Sequence, residues 1–473
     1  MVPGNPLLAV VLEELGWSLT RLAAETNAVM GAGYVSRSTV SEWVNRGRVP
    51  HEPMPTVVAH LLSDALDEPV SLDKLWQGRA RSASLWVPSD DGLDLTWNLD
   101  GTVAVLHDWL THGGGLMDLD RRTFLAISGA ALTGPAWDYV DTAAGRDALA
   151  RLGAGGGEGV AITPGMVDVI DATVANLRAL DDQEGGDGDN LRFVHRHFRT
   201  VAGYLKSGNF SEPQVGVRLL ASWAQLAQLA GWMAHDAEEH GLAQRYYRTG
   251  LHAAHTARDR DVGAYILGSM SYHAIARGRL RDAIELANAA AEAAQRASPA
   301  VRALTASRYA YAQAAIGNLR AFREGTDEAR GLLDRPGALE RRPSWLYWFD
   351  SLDVITGQSL IAAAYASSRN PRPLLEEAET LLNPWLDSGA ERTEPREVLF
   401  HGSWLARSFV RRGELDRALD TGRRTLRNTR SVRSRSSMFL LRQLDEDLAG
   451  QRGVRYSAEV AAFRDELRAA FAA

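Results

Sequence analysis

The 473-residue sequence contains no cysteine, only two lysines and no long apolar run. The absence of cysteine excludes disulfides, thiolate metal sites and a cysteine nucleophile, and it favours a cytoplasmic location. No Gly-Lys dipeptide occurs, so the nucleotide-binding loop of P-loop NTPases is excluded. No apolar stretch approaches the roughly 20 residues that a bilayer span needs. We therefore expect no membrane partner.

Two further observations narrow the class of protein. The net charge of −7 excludes a surface that is basic throughout, so any nucleic-acid site has to be local. The sequence has no G-x-S-x-G elbow, no histidine pair with a companion acid at metal-ligand spacing, and no set that combines nucleophile, base and orienting group. We predict no catalytic residues, no metal site and no cofactor, and hence a protein that is not an enzyme.

Composition divides the chain into three segments. Residues 1–78 form a compact apolar-periodic segment, and 79–190 is predicted to be a connector with short helices and a flexible acidic loop at 181–189. From 191 to 473, apolar residues recur at helical spacing in almost every window, and no alternating strand pattern is visible. The prediction is an all-α chain whose last segment is a helical repeat domain.

The repeat prediction rests on four glycines, each placed between two Ala-rich helical stretches. They are Gly241, Gly278, Gly317 and Gly413, at spacings of 37, 39 and 96 residues. Small residues precede each glycine by seven positions and follow it by twelve, which lets antiparallel helices approach closely. This pattern is typical of tetratricopeptide repeats, whose nominal period is 34. Irregular helical hairpins remain the alternative.

Residues 36–46 predict a helix with two different faces. Ser36 is a plausible N-cap, and Val40, Trp43 and Val44 form one apolar stripe. Small polar side chains fall on the opposite face, which fits the major groove, and flanking arginines could meet phosphates. The predicted contact set for double-stranded DNA is Ser36, Arg37, Ser38, Ser41, Glu42, Asn45, Arg46 and Arg48.

The charge of this segment leaves two functions open. Residues 1–80 carry six basic and nine acidic side chains, whereas 34–51 carry three arginines against one glutamate. A weak, local positive field predicts that DNA binding needs a homodimer on two half-sites. The alternative is a protein-interaction scaffold whose N-terminal domain no longer contacts DNA.

Two more features concern partners of the repeat domain. Aligning the turn glycines places a residue six positions earlier on the inner face, and this predicts a groove for a peptide, small-molecule or protein effector. The alignment selects His235, Tyr272, Tyr311 and Arg407, and Tyr265, one helical face further back, joins them. Seven arginines between 423 and 442 form a positive stripe whose role the sequence leaves open.

Several stretches resemble known regulators. SLTRLAAETN followed by YVSRSTVSEWVNRGRVP resembles the helix-turn-helix of bacterial repressor-like proteins, with a longer connecting loop. Together with DRRTFL and AQLAGWMAHDAEEHGLAQRYY, the arrangement resembles actinobacterial tetratricopeptide regulators of differentiation and secondary metabolism. It resembles the peptide-sensing repressor-like family of Gram-positive bacteria more distantly. The resemblance implies sequence-specific control of transcription.

Overall fold

All regular elements in the described part of the computed structural model are helices, which confirms the all-α prediction. It describes residues 4–30, 35–51, 54–66, 70, 72–77, 95–111, 126–142, 161–186, 188–366, 370–387, 395–430, 432, 434–451 and 457–472. Within these ranges no β-strand occurs, and only a single parallel bridge joins Ile162 to Phe210. None of the helices in these ranges combines the length and apolarity that a bilayer span demands.

The chain divides into two compact units. The N-terminal unit comprises 1–94, 113–132 and 240–242, and the C-terminal unit comprises 95–112, 133–239 and 243–473. In the part of the N-terminal unit that the structure describes, five short helices precede residue 78, which are α1 (Pro6–Glu14), α2 (Leu19–Met30), α3 (Arg37–Arg46), α4 (Met54–Leu66) and α5 (Leu72–Leu75).

The core of the N-terminal unit forms around the apolar stripe of α3. Val40, Trp43 and Val44 are buried together with side chains from α1, α2, α4 and α5. The indole of Trp43 meets that of Trp76 edge to face, with 6.2 Å between ring centroids. Burial of this stripe turns the remaining face of α3 outward, since the two faces lie on opposite sides of the helix.

Asn27 fixes the end of the connection between α2 and α3. Its Nδ2 donates to the Val35 carbonyl and its Oδ1 accepts the Val35 N–H, both at 2.8 Å. Residues 31–34 of this connection lie outside the described residues. The amide therefore supplies the backbone pairing that regular structure would otherwise provide just before α3 begins.

We predict that Asn27→Ala destabilises the N-terminal unit by about 1–3 kcal/mol, because it leaves both backbone groups of Val35 without their partner. The measurement is urea unfolding of the full chain followed by Trp fluorescence. Glu25→Ala, on the same helix but only half-buried and paired with the exposed Arg21, serves as the control. Equal stability of the two variants would contradict the role of Asn27.

Among the described residues, sixteen further α-helices follow along the chain. They are α6 (Leu99–Thr111), α7 (Ala130–Asp141), α8 (Pro164–Glu184), α9 (Asp189–Ser207), α10 (Pro213–Asp236), α11 (His240–Ala257), α12 (Arg260–Ala276), α13 (Leu280–Ala293), α14 (Pro299–Ala315), α15 (Leu319–Leu333), α16 (Asp353–Ala366), α17 (Arg372–Asp387), α18 (Pro395–Arg412), α19 (Leu415–Leu426), α20 (Arg435–Gly450) and α21 (Ala458–Ala472). Helices α12/α13, α14/α15, α16/α17 and α18/α19 pack as hairpins, and α12, α14 and α16 also pack against one another in sequence.

The turns of these hairpins use left-handed residues. Gly278, Gly317 and Gly413 have φ between 70° and 79°, which L side chains adopt only at a cost. Gly241 does not serve this way, because it is the second residue of α11. The left-handed position of that turn is taken by Glu238, with φ 62°. The turn of the first predicted repeat therefore lies three residues earlier than the alignment on Gly241 places it.

Small residues bring paired helices close, as the spacing predicts. The Ser271 hydroxyl donates to the Ala283 carbonyl at 2.8 Å across the α12/α13 hairpin. In the α14/α15 hairpin, a Cβ at Gly325 would lie 3.2 Å from that of Ala310. Helices packed this closely leave no room for larger side chains at these positions.

The segment predicted to be a connector contains more helix than the sequence indicates. Helix α8 has 21 residues, buries Val167, Val174 and Leu177 on one stripe, and packs against α10. It continues to Glu184, so the first residues of the acidic stretch 181–189 are helical, and Asp181 is buried. The acidic composition suggested a solvated loop because ion pairing with distant residues is not visible in sequence. The connector stretches 79–94, 112–125 and 143–160 lie outside the described residues.

Candidate functional site

Helix α3 carries the predicted DNA-contact residues and is capped at both ends. The Ser36 hydroxyl accepts the Thr39 N–H at 3.2 Å, as the sequence predicts for an N-cap. Gly47 ends the helix in the left-handed conformation, with φ 62°. These caps hold a helix of only ten residues, which is short for independent stability.

Gly4 and Asn5 form hydrogen bonds with the end of α3. The N–H of Gly4 donates to the Asn45 carbonyl at 3.1 Å, and that of Asn5 donates to the Val44 carbonyl at 3.0 Å. The Asn5 side chain in turn donates to the Leu75 carbonyl at 2.9 Å. A Cβ at Gly4 would lie 2.3 Å from the Gly47 nitrogen, so only glycine allows this approach. The carbonyls at the end of α3 are therefore satisfied by the chain itself.

The face of α3 opposite the core is exposed and polar. Ser36, Arg37, Ser38, Asn45, Arg46 and Arg48 are exposed, whereas Ser41 and Glu42 are half-buried. The Asn45 amide donates to the Ser41 hydroxyl at 2.9 Å. All eight side chains of the predicted contact set thus lie on or beside one surface, where hydroxyl, amide and guanidinium groups are accessible.

Glu42 neutralises part of this surface. Its carboxylate lies 2.6 Å from Nη1 of Arg48 and 3.6 Å from Nη1 of Arg46. Both arginines are more than 60% exposed, so each pair contributes little to stability. The sequence predicts Glu42 as a DNA contact; in the structure its carboxylate is paired with two arginines of the same face.

Three of the five predicted groove residues line one cavity in the C-terminal unit. His235, Tyr265 and Tyr272 form part of the wall of a cavity of about 220 Å³. Tyr311 is buried next to it, with its ring centroid 5.7 Å from that of Tyr272. Arg407 is not among the lining residues, because its Nε binds Asp447 at 2.7 Å.

The shifted turn explains why His235 is not the equivalent of the tyrosines. Counting six positions back from Glu238 gives Trp232, just as counting back from Gly278 and Gly317 gives Tyr272 and Tyr311. Trp232 lines the cavity, with its ring 5.4 Å from that of Tyr272. His235 lies in the last turn of α10, and the next helix begins at His240, so these two histidines do not share a helix.

A buried ion cluster, made by Asp181, Asp236, Arg396, Ser434 and Ser436, closes one side of the cavity. Arg396 of α18 binds Asp181 of α8 at 2.9 Å and approaches Asp236 of α10 to 3.5 Å. Asp236 also accepts hydrogen bonds from the hydroxyls of Ser434, at 2.7 Å, and Ser436. Helices that are far apart in sequence are thereby tied together across the inner side of the unit.

Electrostatics within this cluster differ between the two carboxyls. Burial raises the pKa of Asp181 to about 6, although Arg396 opposes this shift. Burial also opposes ionisation of Asp236, but Arg396, both serine hydroxyls and the Gly186 N–H outweigh it and lower its pKa. Asp236 is the permanent anion of the pair. Burial lowers the pKa of His235 and of His401 to about 4, so both cavity histidines are neutral at pH 7.

The arginine-rich segment is partly engaged by the last helix. Arg423 lies 3.4 Å from Glu459 and 3.5 Å from Glu466, both on α21. Its guanidinium also faces the Phe463 ring, at 5.7 Å from the centroid. Arg433 lies outside the described residues. The positive stripe is therefore not wholly available to a partner.

A protein-family model described as the SP15 N-terminal domain matches residues 8–75, which include α2 and α3. No curated protein and no solved structure matches the chain. The match covers the N-terminal unit alone and assigns no activity to it.

Sequence reasoning missed the charged residues of the cavity. Arg178, Arg308 and Arg396 all line it, together with Trp232 and Phe400. Arg308 lies in a helix that is otherwise rich in alanine, at a position whose neighbours three and four residues away are apolar or small. A cation on such a stripe is a usable signal for a buried polar site, whereas nothing local marks Arg396.

Proposed function

We propose that the protein is a sequence-specific DNA-binding transcriptional regulator. In this proposal α2 and α3 act as a helix-turn-helix, and α3 reads the major groove. The helices of the C-terminal unit act as a tetratricopeptide-like solenoid that receives an effector. The observation that carries the proposal is the outward polar face of α3, held by caps at both ends while its apolar stripe is buried.

The chemistry of this face supports base recognition. Asn45 offers an amide that can pair with adenine, and Ser38 and Ser41 offer hydroxyls that can meet several base edges. Arg37 is exposed at the start of the helix, where its guanidinium can contact a phosphate. The Asn45–Ser41 hydrogen bond holds both groups in place before DNA arrives, which lowers the entropy cost of binding.

Dimerisation and effector control complete the proposal. The limited positive charge of α3 favours a homodimer that binds two half-sites, because one helix supplies few phosphate contacts. An effector in the cavity would change DNA affinity only by binding one arrangement of the dimer better than another. Sedimentation of the full chain, with and without operator DNA, measures the expected dimer.

A second candidate function is a protein-interaction scaffold. The specific observation in its favour is Glu42, which pairs with two of the three arginines on the face. A surface neutralised in this way suits a protein partner as well as DNA. Affinity capture from nuclease-treated lysate distinguishes the two: retained partners that depend on Tyr272 or Tyr311 favour the scaffold.

The direct test selects genomic fragments with the purified full chain and sequences what is retained. We expect an enriched site with twofold symmetry. The double variant Asn45→Ala, Arg46→Ala is expected to bind that site at least about 30-fold more weakly, since each base or phosphate contact contributes about 1–3 kcal/mol. The measurement is fluorescence anisotropy with labelled site DNA at fixed salt.

Arg330→Ala is the matched control, because it removes one exposed arginine from the C-terminal unit. It should leave affinity unchanged. Absence of any enriched motif, or full affinity in the double variant, would count against DNA recognition by α3.

A further inference from the structure

The cavity of the C-terminal unit is built from the inner helices of successive hairpins. Helices α8, α10, α12, α14, α16, α18 and α20 each contribute a side chain to its wall. The segment from Tyr347 to Ser351 completes the lining. At about 220 Å³ the cavity is smaller than the roughly 300–1,000 Å³ of sites for drug-sized ligands. Its size fits a molecule of one or two rings.

Two buried arginines lack a counter-ion there. Arg178 is 6% exposed and Arg308 is 8% exposed, and neither forms an ion pair with any carboxylate among the described residues. By contrast, the nearby Arg396 has Asp181 and Asp236. A buried charge without a partner is costly, so this arrangement favours an anion as its occupant.

The donors of both arginines are only partly used. Arg178 donates from Nη1 to Oε1 of Gln228 at 3.0 Å, but its buried Nε has no partner. Arg308 makes no hydrogen bond within the described structure; its guanidinium lies 4.6 Å from the centroid of the Tyr272 ring. Arginine offers five N–H donors in a planar fork that matches a carboxylate. Arg308 is therefore the better placed of the two to bind an anionic group.

Flat aromatic walls surround these cations. They are formed by Trp232, Tyr265, Tyr272, Tyr347, Trp348 and Phe400. Tyr265 is held from behind by Trp345, with the rings stacked at 4.8 Å, so this wall is rigid. Aromatic rings pack against a planar ring by offset stacking or edge-to-face contact. The walls thus select for a ring, as the arginines select for negative charge.

The acidic residues of the lining do not cancel the two cations. The lining carboxyls are those of Asp181, Asp182, Asp350 and Glu397. Asp181 is buried and paired with Arg396, Asp350 is exposed, and Asp182 and Glu397 are half-buried; Asp182 accepts a hydrogen bond from the Tyr347 hydroxyl. Burial raises the pKa of Tyr272 to about 12, so its phenol remains neutral beside Arg308. The neutral histidines 235 and 401 add no charge at pH 7. None of the lining carboxyls forms an ion pair with Arg178 or Arg308 within the described structure.

We propose that this cavity binds a small aromatic carboxylate, with its ring between the aromatic walls and its carboxylate on Arg308 and Arg178. Only the role of this ligand as the effector of a regulator rests on the proposed function. A linear peptide fits less well, because Arg396 and its two carboxylate partners close one side of the inner surface.

Titration calorimetry of the full-length protein without DNA tests the proposal. The probes are benzoate, indole-3-carboxylate, the neutral isostere indole-3-carboxamide, and inorganic phosphate. We expect at least one carboxylate to bind, the carboxamide to bind at least about 10-fold more weakly than its acid, and phosphate not to compete. Arg308→Gln should weaken carboxylate binding by at least about 10-fold and leave carboxamide binding unchanged.

Arg302→Gln, on the same helix but outside the lining, is the matched control and should retain full affinity. Unfolding midpoints of both variants, measured in parallel, separate loss of the site from loss of the fold. The proposal is overturned if no aromatic acid binds at about 1 mM, if acid and amide bind equally, or if phosphate displaces the acid. Because DNA is absent, the outcome is independent of whether Asn45→Ala, Arg46→Ala abolishes DNA binding.

Discussion

Asp236→Ala is expected to destabilise the C-terminal unit by about 3–5 kcal/mol, more than any other single substitution considered for this chain. Asp236 is 1% exposed and is the permanent anion of the ion cluster. Its removal leaves the hydroxyls of Ser434 and Ser436 and the Gly186 N–H without their acceptor. It also leaves Arg396 with only Asp181, whose own ionisation burial opposes. Urea unfolding followed by far-UV circular dichroism measures the loss.

Two variants sharpen this measurement. Asp236→Asn retains an acceptor for the hydroxyls but removes the charge, so we expect a smaller loss than for alanine. Asp168→Ala breaks an exposed pair with Arg218 and is expected to change the free energy of unfolding by less than about 1 kcal/mol. If Asp236→Ala and Asp168→Ala were equally stable, the cluster would contribute nothing to the fold.

We expect the second large effect from acidification. Burial lowers the pKa of His235 and His401 to about 4 and that of His252 to about 3. Below about pH 6.5 the unfolded chain binds protons that the folded chain excludes, so stability is present above pH 6.5 and is lost as pH falls towards 4. Each histidine contributes a loss of about 1.4 kcal/mol per pH unit in that window.

Asp181 acts in the opposite direction. Its pKa is raised to about 6, so the folded chain binds a proton more readily than the unfolded chain between about pH 6 and pH 4. This stabilisation appears as pH falls and offsets part of the histidine loss. Between pH 7.5 and pH 5.5 the net expectation is a loss of about 3 kcal/mol.

Denaturant unfolding at several pH values measures this slope. His401→Gln should flatten it, because one buried imidazole no longer excludes a proton. The exposed His51 provides the control, and His51→Gln should leave the slope as it is. A wild-type free energy of unfolding that does not change between pH 7.5 and pH 5.5 would contradict the buried neutral state of these histidines.

Local patterns predicted the parts of the fold that depend on neighbouring residues. The Ser36 cap, the Val40–Trp43–Val44 stripe and the exposed face of α3 follow from helical periodicity, since a ten-residue helix presents its faces at fixed spacing. The left-handed turns at Gly278, Gly317 and Gly413 follow from glycine itself, because without a Cβ it adopts positive φ at little cost. The turn at Glu238 escaped prediction, because a non-glycine residue took the left-handed conformation and Gly241 lay nearby.

The cavity depended on contacts that no local pattern encodes. Aligning glycines predicted Tyr272 and Tyr265 in the lining, but it also selected Arg407, which binds Asp447 instead. Whether an arginine is paired depends on which distant helix packs against it. Asp181 and Arg396 are 215 residues apart in sequence and 2.9 Å apart in space.

Sequence by itself therefore determined the all-α class, the two-faced helix near the N-terminus and the helical hairpins that follow, because each arises from the spacing of side chains along one helix. Tertiary structure alone decided which charges of the C-terminal unit are neutralised. It enclosed Arg396 with Asp181 and Asp236, but left Arg178 and Arg308 without a carboxylate in the described structure. The physical reason is that the free energy of a charge depends on its solvent and its nearest opposite charge, and both are set by how distant helices meet.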